Sequence, residues 1–359
     1  MPHSDLPSLS YSALTTFEKC PELYRKKYVE KEVGIDIPKD YFLLGSLTHK
    51  ILEFRLTEDN SLEIAYQLAF DNWLQEQGFA LEQELKDNLF NYGIEYGQIL
   101  HKASPCYLES DKYRKKDGSL LSSPHFYPSQ EMRKDYERED LDILKSEIDV
   151  NIARKYRFYS YLSLADVVAR SYAYASNFTY PDWAKETLGV ETDVSQTEKF
   201  GNYEWRLKGF IDWSVRIDYP ELNDPIALLD FKTSQTIPKE EDVLWNPQLN
   251  LYAMMYFGLF GTKPQFIGIY HLPSGKEIMA EVSEEINNIV YSHYEGVADK
   301  IREANNFVKR FPTEYQSPCV SKDFKSNTIK EICPYLKSCW ESYYREIEEE
   351  TLIQTIENG

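Results

Sequence analysis

The chain has 359 residues, of which 42% are hydrophobic, so it can bury the core of one large domain or two smaller ones. This apolar content excludes a largely disordered protein, and the formal net charge of −19 argues against charge-driven coating of nucleic acid. The longest mostly apolar run, 251–261, is shorter than the ~20 residues that a bilayer requires, and the start lacks the pattern of a secretory signal. We therefore expect a soluble, cytoplasmic protein.

The first half of the chain is dominated by helical periodicity. Apolar spacing predicts helices over 9–28, about 44–56, 62–103 and 141–188. The stretch between the last two, 104–140, is rich in Ser, Pro and Lys and predicts a long, flexible loop. Together these patterns indicate a mostly helical insertion over 57–188.

The second half changes to the pattern of strands. Alternating or β-branched apolar residues predict five strands, over 190–197, 205–219, 227–233, 266–271 and 277–282. A helix is predicted over 247–260, and apolar residues at helical spacing predict a long amphipathic helix from 286 to 308. The element order predicts an α/β fold with a central sheet flanked by helices.

Two acidic residues stand out on the predicted strands. Asp212 lies in the segment GFIDW, and Asp230 lies in LLDFKTS, two residues before Lys232. Strand residues i and i+2 share a face, and a hairpin of 205–219 with 227–233 would bring Asp212 beside them. Converging carboxylates repel unless a divalent cation neutralises them, and a nearby lysine can orient a water. The alternative is an ordinary surface hairpin with an Asp–Lys pair.

Two predicted helices carry polar residues four apart, which places them on one face. His49 and Glu53 follow Gly45 in this spacing, and His49 is a suitable ligand for Mn²⁺ beside two carboxylates. Gln248 and Tyr252 have the same spacing of four residues on the helix after the Asp–Lys strand, where they could orient water, metal ligands or a phosphate. The alternatives are purely structural roles.

This ordered set resembles the RecB-like branch of the PD-(D/E)xK nucleases, which includes the nuclease domains of AddB and RecB, CRISPR-associated adaptation nucleases and phage exonucleases. The motifs that carry the resemblance are S-x-S-x-L-x5-C-P-x2-Y at 10–24, G-x3-H-x3-E at 45–53, G-x2-D at 209–212, D-x-K-T-S at 230–234 and Q-x3-Y at 248–252. The resemblance implies a single nuclease domain over 1–359, with a restriction-endonuclease-like core and a central mixed sheet.

The resemblance also implies roles for individual residues. A divalent ion, Mg²⁺ or Mn²⁺, would be held by His49, Asp212, Asp230 and the backbone carbonyl of Phe231. Lys232 would orient the attacking water. Gln248 and Tyr252 would support the site and the scissile phosphate, with Glu53 behind the ligands. Two positions depart from the family pattern: Ile211 stands where the superfamily name has proline, and Trp213 stands where a basic residue is common.

The chain has five cysteines, Cys20, Cys106, Cys319, Cys333 and Cys339. An odd number without a secretory signal disfavours a disulfide framework. The resemblance implies a 4Fe–4S cluster held by Cys20, Cys319, Cys333 and Cys339, with a cluster segment over 311–340 and an acidic tail over 341–359. The alternatives are a zinc site or unligated thiols, and Cys106 is expected to be a free thiol. The number of residues between Cys319 and Cys333 departs from the family pattern.

The expected function is that of a metal-dependent deoxyribonuclease, an exonuclease acting on single-stranded DNA or DNA ends in a bacterial or phage-infected cell. The alternative is a catalytically silent or partner-dependent nucleic-acid-binding subunit of a recombination, repair or CRISPR-adaptation complex. Four basic residues could contact the polyanion, although solvated faces are the more common role of such clusters: Arg25, Lys26, Lys115 and Lys116.

Overall fold

The computed structural model describes residues 7–32, 34, 40–109, 138–155, 162–222, 224–234, 236–304, 320–322, 329–333, 335 and 339. The chain divides into two compact units. The smaller unit comprises Met1–Asp36, Gln196–Lys208 and Tyr291–Gly359, and the larger unit comprises Ile37–Ser195 and Gly209–Val290.

The described helices are α1 (Tyr11–Lys19), α2 (Pro21–Tyr24), α3 (Asp40–Thr57), α4 (Leu62–Glu76), α5 (Gln83–Glu109), α6 (Glu139–Lys155), α7 (Leu164–Asn177), α8 (Glu240–Leu244), α9 (Pro247–Phe260) and α10 (Glu284–Glu303). The described strands are β1 (Ser8–Ser10), β2 (Ala184–Asp193), β3 (Gln196–Phe200), β4 (Tyr203–Lys208), β5 (Phe210–Ile217), β6 (Ile226–Lys232), β7 (Phe266–His271), β8 (Lys276–Glu281), β9 (Val320–Lys322) and β10 (Ile329–Ile332). A π-helical turn, Arg25–Val29, follows α2.

The larger unit is built on a five-stranded mixed sheet with the order β2-β5-β6-β7-β8. Strand β5 is antiparallel to both β2 and β6, β6 is parallel to β7, and β7 is antiparallel to β8. The parallel step from β6 to β7 is connected through α8 and α9. The expected α/β fold with a central mixed sheet flanked by helices is therefore confirmed.

One core joins the sheet to the helices α3 to α7 of the larger unit. Its aromatic centre consists of Phe178, Trp213, Phe231 and Tyr270, whose rings contact one another. Trp213 and Phe231 are at most 2% exposed, which fixes the strands β5 and β6 in their register. The rigid aromatic layer therefore lies directly beneath the strands that carry the acidic motifs.

Local sequence signals account for the start and end of the helix that carries Gln248 and Tyr252. Asn246 caps α9, since its side-chain oxygen accepts a hydrogen bond from the Leu249 N–H. Pro247 occupies the first helical position, where its missing N–H costs nothing. Gly261 ends the helix with a φ of 69°, the left-handed conformation that glycine adopts most easily.

Several predicted boundaries are wrong. The helix predicted over 141–188 ends at Asn177, and 184–193 is the strand β2, whose Thr and Val residues fit a sheet. The strand predicted over 205–219 is divided at Gly209 into β4 and β5, which belong to different sheets. The start of the predicted loop 104–140 is helical, since α5 continues past Pro105 to Glu109, while residues 110–137 lie outside the described part.

The smaller unit contains a three-stranded sheet, in which β4 is parallel to β1 and antiparallel to β3. Ser10 caps α1 by accepting the Ala13 N–H, and the helix ends at Lys19 with Cys20 as its C-cap, directly before Pro21. The helix predicted over 9–28 is thus interrupted at the Cys-Pro step, because the residue before a proline avoids the helical conformation. None of the helices in the described ranges is both long and apolar enough to cross a bilayer.

A buried histidine at the end of β7 makes the stability of the larger unit depend on pH. The Ser234 carbonyl can only accept, so Nε2 of His271 donates to it at 2.6 Å, and Nδ1 accepts from the Ser274 hydroxyl at 2.8 Å. Burial lowers the pKa of His271 to about 4, and the hydrogen bond to Ser234 opposes this only in part.

Because the folded-state pKa lies below the ordinary value, protonation favours the unfolded chain. The contribution of His271 is fully present above about pH 6.5 and is lost as the pH falls from there towards 4, by about 2 kcal/mol at pH 5. Urea unfolding near pH 7.5 and pH 5 should therefore show a larger loss of stability for wild type than for His271→Asn. Equal losses of unfolding free energy in wild type and His271→Asn would contradict the assignment of this pH dependence to His271.

Candidate active site

The sheet brings Asp212 and Asp230 to the same face. The pairing of Trp213 with Leu229 places Asp212 next to the end of the β5–β6 ladder. Beyond this pair, the Phe231 N–H donates to Oδ2 of Asp212 at 2.6 Å, where a regular ladder would offer a backbone carbonyl. The predicted hairpin therefore forms and brings the two aspartates to neighbouring positions.

His49 reaches the site from α3 and is held by a backbone carbonyl. Its Nε2 lies 2.9 Å from the Phe231 oxygen, which can only accept, so Nε2 carries the proton. Its Nδ1 then faces two carboxylates, at 3.5 Å from Oδ2 of Asp212 and 3.7 Å from Oε1 of Glu191. Burial opposes protonation of the ring, but Asp212, Glu191 and Asp230 outweigh it and raise the pKa of His49 well above 6.5.

Glu191 is a site residue that the sequence reasoning missed. Val190 pairs with Trp213 and Thr192 with Ile211, so Glu191 lies across from Asp212 on the neighbouring strand. Its φ is 47°, a left-handed conformation that is unfavourable for a residue with a side chain. The available signal was an acidic residue in a strand predicted next to the Asp212 strand, but only the register reveals that the two meet.

The geometry fits a divalent cation. His49, Glu191 and Asp212 each offer a ligand atom, and these three atoms all lie within 4.8 Å of one another. In the metal-free protein a proton on Nδ1 offsets the two carboxylates, and a divalent cation bound to the neutral ring would take the place of that proton. Metal-binding histidines commonly donate their other N–H to a carbonyl or carboxylate, as Nε2 does here to Phe231. Two carboxylates and an imidazole suit Mn²⁺ or Mg²⁺.

Asp230 and Lys232 form an ion pair beside this group. Lys232 Nζ lies 2.6 Å from Oδ2 of Asp230, as the i, i+2 spacing on one strand predicts. Burial and the nearby Asp212 raise the pKa of Asp230, while Lys232 and His49 lower it in part. The Asp230 side chain is 11% exposed and the Lys232 side chain 37%, so the ammonium group lies on the solvent side of the pair.

Gln248 and Tyr252 approach Asp230 from α9. Gln248 Nε2 is 3.5 Å from Oδ1 of Asp230, and the side chains of Gln248 and Tyr252 interact with each other. Burial raises the pKa of Tyr252, so the phenol remains a neutral hydrogen-bonding group. Gly209 makes room for this ring, because a Cβ there would lie 2.9 Å from the Tyr252 Cε1.

Four other positions that the sequence analysis named have different surroundings. Glu53 lies near the group, since burial and then the charge of Glu191 raise its pKa. The Phe231 carbonyl, predicted as a metal ligand, accepts the His49 N–H and keeps one lone pair. Trp213 and Ile211 point to the opposite face and are at most 2% exposed, so neither side chain can contact a substrate.

The described cysteines lie in the smaller unit. Cys20 is buried and Cys333 and Cys339 are half-buried. Burial raises the pKa of the Cys333 thiol, and the proximity of Cys20 raises it further. Cys339 lies within electrostatic reach of Arg25 and Lys26, and Lys26 lies within reach of Cys333 as well. Cys319 lies outside the described residues, as does the side chain of Cys106.

The basic residues of this region are engaged within the protein. Arg25 pairs with Glu22 and Glu30, each at 2.6 Å, and the buried Lys26 pairs with Glu32 at 2.6 Å. Cations that are already paired in this way have little charge left for a phosphate. The DNA contact of Arg25 and Lys26 stays a prediction, and Lys115 and Lys116 lie outside the described residues.

Comparison with known proteins identifies the family. A model of the PD-(D/E)XK nuclease superfamily matches residues 124–339, more than half of the chain, whereas a search of curated proteins finds no match. The matched range includes Glu191, Asp212, Asp230 and Lys232, while His49 precedes it. Nucleases of this superfamily use divalent metal ions such as Mg²⁺ or Mn²⁺, which agrees with the donor set described above. The chain belongs to the PD-(D/E)XK nuclease superfamily.

Proposed function

We propose that the protein is a metal-dependent deoxyribonuclease of the RecB-like branch, which hydrolyses phosphodiester bonds in single-stranded DNA or at DNA ends. The observation that carries this proposal is the convergence of His49, Asp212 and Asp230 with Lys232 in one half-buried place. Glu191, which the sequence did not reveal, adds a further carboxylate to the set. An acidic site of this kind is suited to a cation and a phosphate together.

Different residues would have different roles in hydrolysis. His49, Asp212, Glu191 and Asp230 would hold a divalent ion, which lowers the pKa of a bound water and neutralises charge on the phosphate. Lys232 would orient the attacking water, since its ammonium group lies at the exposed side of Asp230.

Two further residues would act on the phosphate side. Gln248 would fix Asp230 through its amide and keep the carboxylate aimed at the site. Tyr252 would place a neutral hydroxyl beside the phosphate oxygens, since burial raises the pKa of its phenol. Glu53 would act from behind the ligands, through its effect on Glu191.

Lys232→Ala should abolish most of the activity while leaving the fold intact. We expect a loss of about 100- to 1,000-fold in kcat on end-labelled linear single-stranded DNA with Mn²⁺ or Mg²⁺, because the water loses its orienting charge. The matched control is Lys263→Ala, an exposed lysine outside the site. Exonuclease action on ends predicts that circular single-stranded DNA remains uncut. Cleavage that survives Lys232→Ala would show that the lysine is misassigned.

A second candidate function is a nucleic-acid-binding subunit that is silent or active only with a partner. It is ranked lower because His49, Asp212, Asp230 and Lys232 are all present and brought together. The same assay separates the two: binding of single-stranded DNA without cleavage, in wild type as well as in Lys232→Ala, would favour the subunit. A recombination, repair or CRISPR-adaptation complex would then be the place to look for the protein partner.

Glu191→Gln should change the response of the protein to metal. Removing one carboxylate from the group relieves repulsion, so the metal-free variant should melt a few degrees higher than wild type. Saturating Mn²⁺ should raise the melting temperature of wild type by a few degrees and that of the variant by less, because a ligand is lost. Differential scanning fluorimetry with and without Mn²⁺ measures both effects.

The matched control for this experiment is Glu240→Gln, which removes an exposed carboxylate at the start of α8. It should leave the Mn²⁺-induced shift as in wild type. An equal shift in wild type and Glu191→Gln would exclude Glu191 as a ligand. Because the readout is thermal stability, the result does not depend on finding the right DNA substrate.

We also propose that the cysteines of the smaller unit hold a 4Fe–4S cluster, with Cys20, Cys319, Cys333 and Cys339 as ligands. Support comes from the proximity of Cys20 to Cys333, which brings two of the four proposed ligands near each other. The segment 311–340 would then tie the end of the chain to Cys20, and 341–359 would form an acidic tail. Structural zinc is the alternative.

Protein purified without oxygen should contain about four iron and four sulfide ions per chain if the cluster is present. Cys20→Ser and Cys333→Ser should lose both, whereas Cys106→Ser, which lies outside the proposed set, should retain them. Metal analysis that finds zinc and no iron would favour the structural zinc site instead. Visible absorbance that bleaches on addition of dithionite provides an independent readout.

A further inference from the structure

A half-exposed aromatic ring stands beside the acidic group. Phe210 is the first residue of β5 and is 50% exposed, whereas the next residue, Ile211, is 2% exposed. A phenylalanine at the start of a central strand would normally be covered by the core. On this strand the alternation places Ile211 and Trp213 in the core and leaves Phe210 on the opposite face.

That opposite face is the face of the acidic site. Phe210 and Asp212 are two residues apart on one strand, so their side chains point the same way with Cα atoms about 6.6 Å apart. The phenol of Tyr252 interacts with the backbone of Phe210, which places the aromatic ring and the α9 groups along one surface. The ring thus lies at the rim of the site, next to the groups proposed to bind phosphate.

The separation between Phe210 and the acidic group suits the length of one nucleotide. A phosphate bound through a cation at Asp212 and Asp230 would have its own base within one nucleotide length, which is comparable to the separation of about 6.6 Å between the Cα atoms of Phe210 and Asp212. Exposed aromatic rings bind single-stranded nucleic acid because every base offers a flat π-face to stack upon. In a duplex that face is covered by the neighbouring base pairs, so stacking on a protein ring requires an unstacked base.

We infer that Phe210 is the stacking platform for the nucleobase next to the scissile phosphate and thereby favours single-stranded over double-stranded DNA. This inference rests on the proposed nuclease function and names the form of substrate that its site takes. The ring would contact the base and leave the chemistry to the acidic group, so its removal affects KM more than kcat. A base of any identity would serve, since stacking carries little sequence preference.

The decisive experiment compares a normal substrate with one that lacks a single base. Phe210→Ala should lower kcat/KM on a linear single-stranded oligonucleotide by about 10-fold, mainly through KM. On an oligonucleotide with an abasic site at the scissile nucleotide, wild type and Phe210→Ala should be equal, because there is no base to stack. Phe210→Trp should restore activity on the normal substrate, since the indole ring also stacks.

Phe260→Ala is the matched control. Phe260 is 49% exposed, almost the same as Phe210, but it lies at the far end of α9, about 18 Å along the helix from Gln248. Its removal should leave kcat/KM unchanged on both substrates. The inference is overturned if Phe210→Ala loses the same factor on normal and abasic DNA, or loses no more than Phe260→Ala.

A binding measurement separates this inference from the nuclease function itself. In Lys232→Ala protein with Mn²⁺, an oligonucleotide carrying 2-aminopurine should lose fluorescence on binding, because a stacked base is quenched. The additional change Phe210→Ala should abolish the quenching and weaken binding about 10-fold. If wild type binds with quenching but does not cut, the nuclease proposal is wrong and the stacking role of Phe210 is supported. If it cuts without quenching, the nuclease proposal is supported and the stacking role is wrong.

Discussion

Electrostatic repulsion among the carboxylates of Glu191, Asp212 and Asp230 is the constraint on which the rest of the larger unit depends. Such groups come together in a half-buried place only if the surrounding structure holds them there. The backbone of Phe231 supplies much of this support: its N–H binds Asp212 at 2.6 Å, and its carbonyl accepts the His49 N–H at 2.9 Å. One residue of a central strand thus orients two groups that come from different elements.

The side chain of Phe231 explains why this support is firm. It is 2% exposed and packs with Phe178, Trp213 and Tyr270 in the layer between the sheet and the helices. Large buried aromatic side chains contribute roughly 3–5 kcal/mol each against truncation, so the position of this backbone is determined by the core. The polar face of β6 presents the Asp230 and Lys232 side chains, for which we propose a role in the chemistry, and the apolar face of the same strand holds them rigidly in place.

Much of this arrangement could be predicted from the sequence, because it follows from short-range periodicity. The i, i+2 spacing of Asp230 and Lys232 and the i, i+4 spacing of Gln248 and Tyr252 each lie within one element, and both pairs interact as expected. Glu191 could not be predicted, because its place opposite Asp212 depends on the register between two strands, and that register shifts twice along β2. A shift of one residue would have turned Glu191 to the other face.

The four side chains proposed as ligands differ in how firmly the structure holds them. His49 and Asp212 are tied to the backbone of Phe231, and Asp230 is tied to Lys232 and Gln248. Glu191 comes from β2, the edge strand of the sheet, and its positive φ of 47° stores strain of about 1–2 kcal/mol. An edge strand has a neighbour on one side only, so its backbone moves at less cost than that of β6. In the proposed reaction, a change in ligand geometry as a phosphate arrives and leaves would therefore be easiest at Glu191, while the other groups keep their positions.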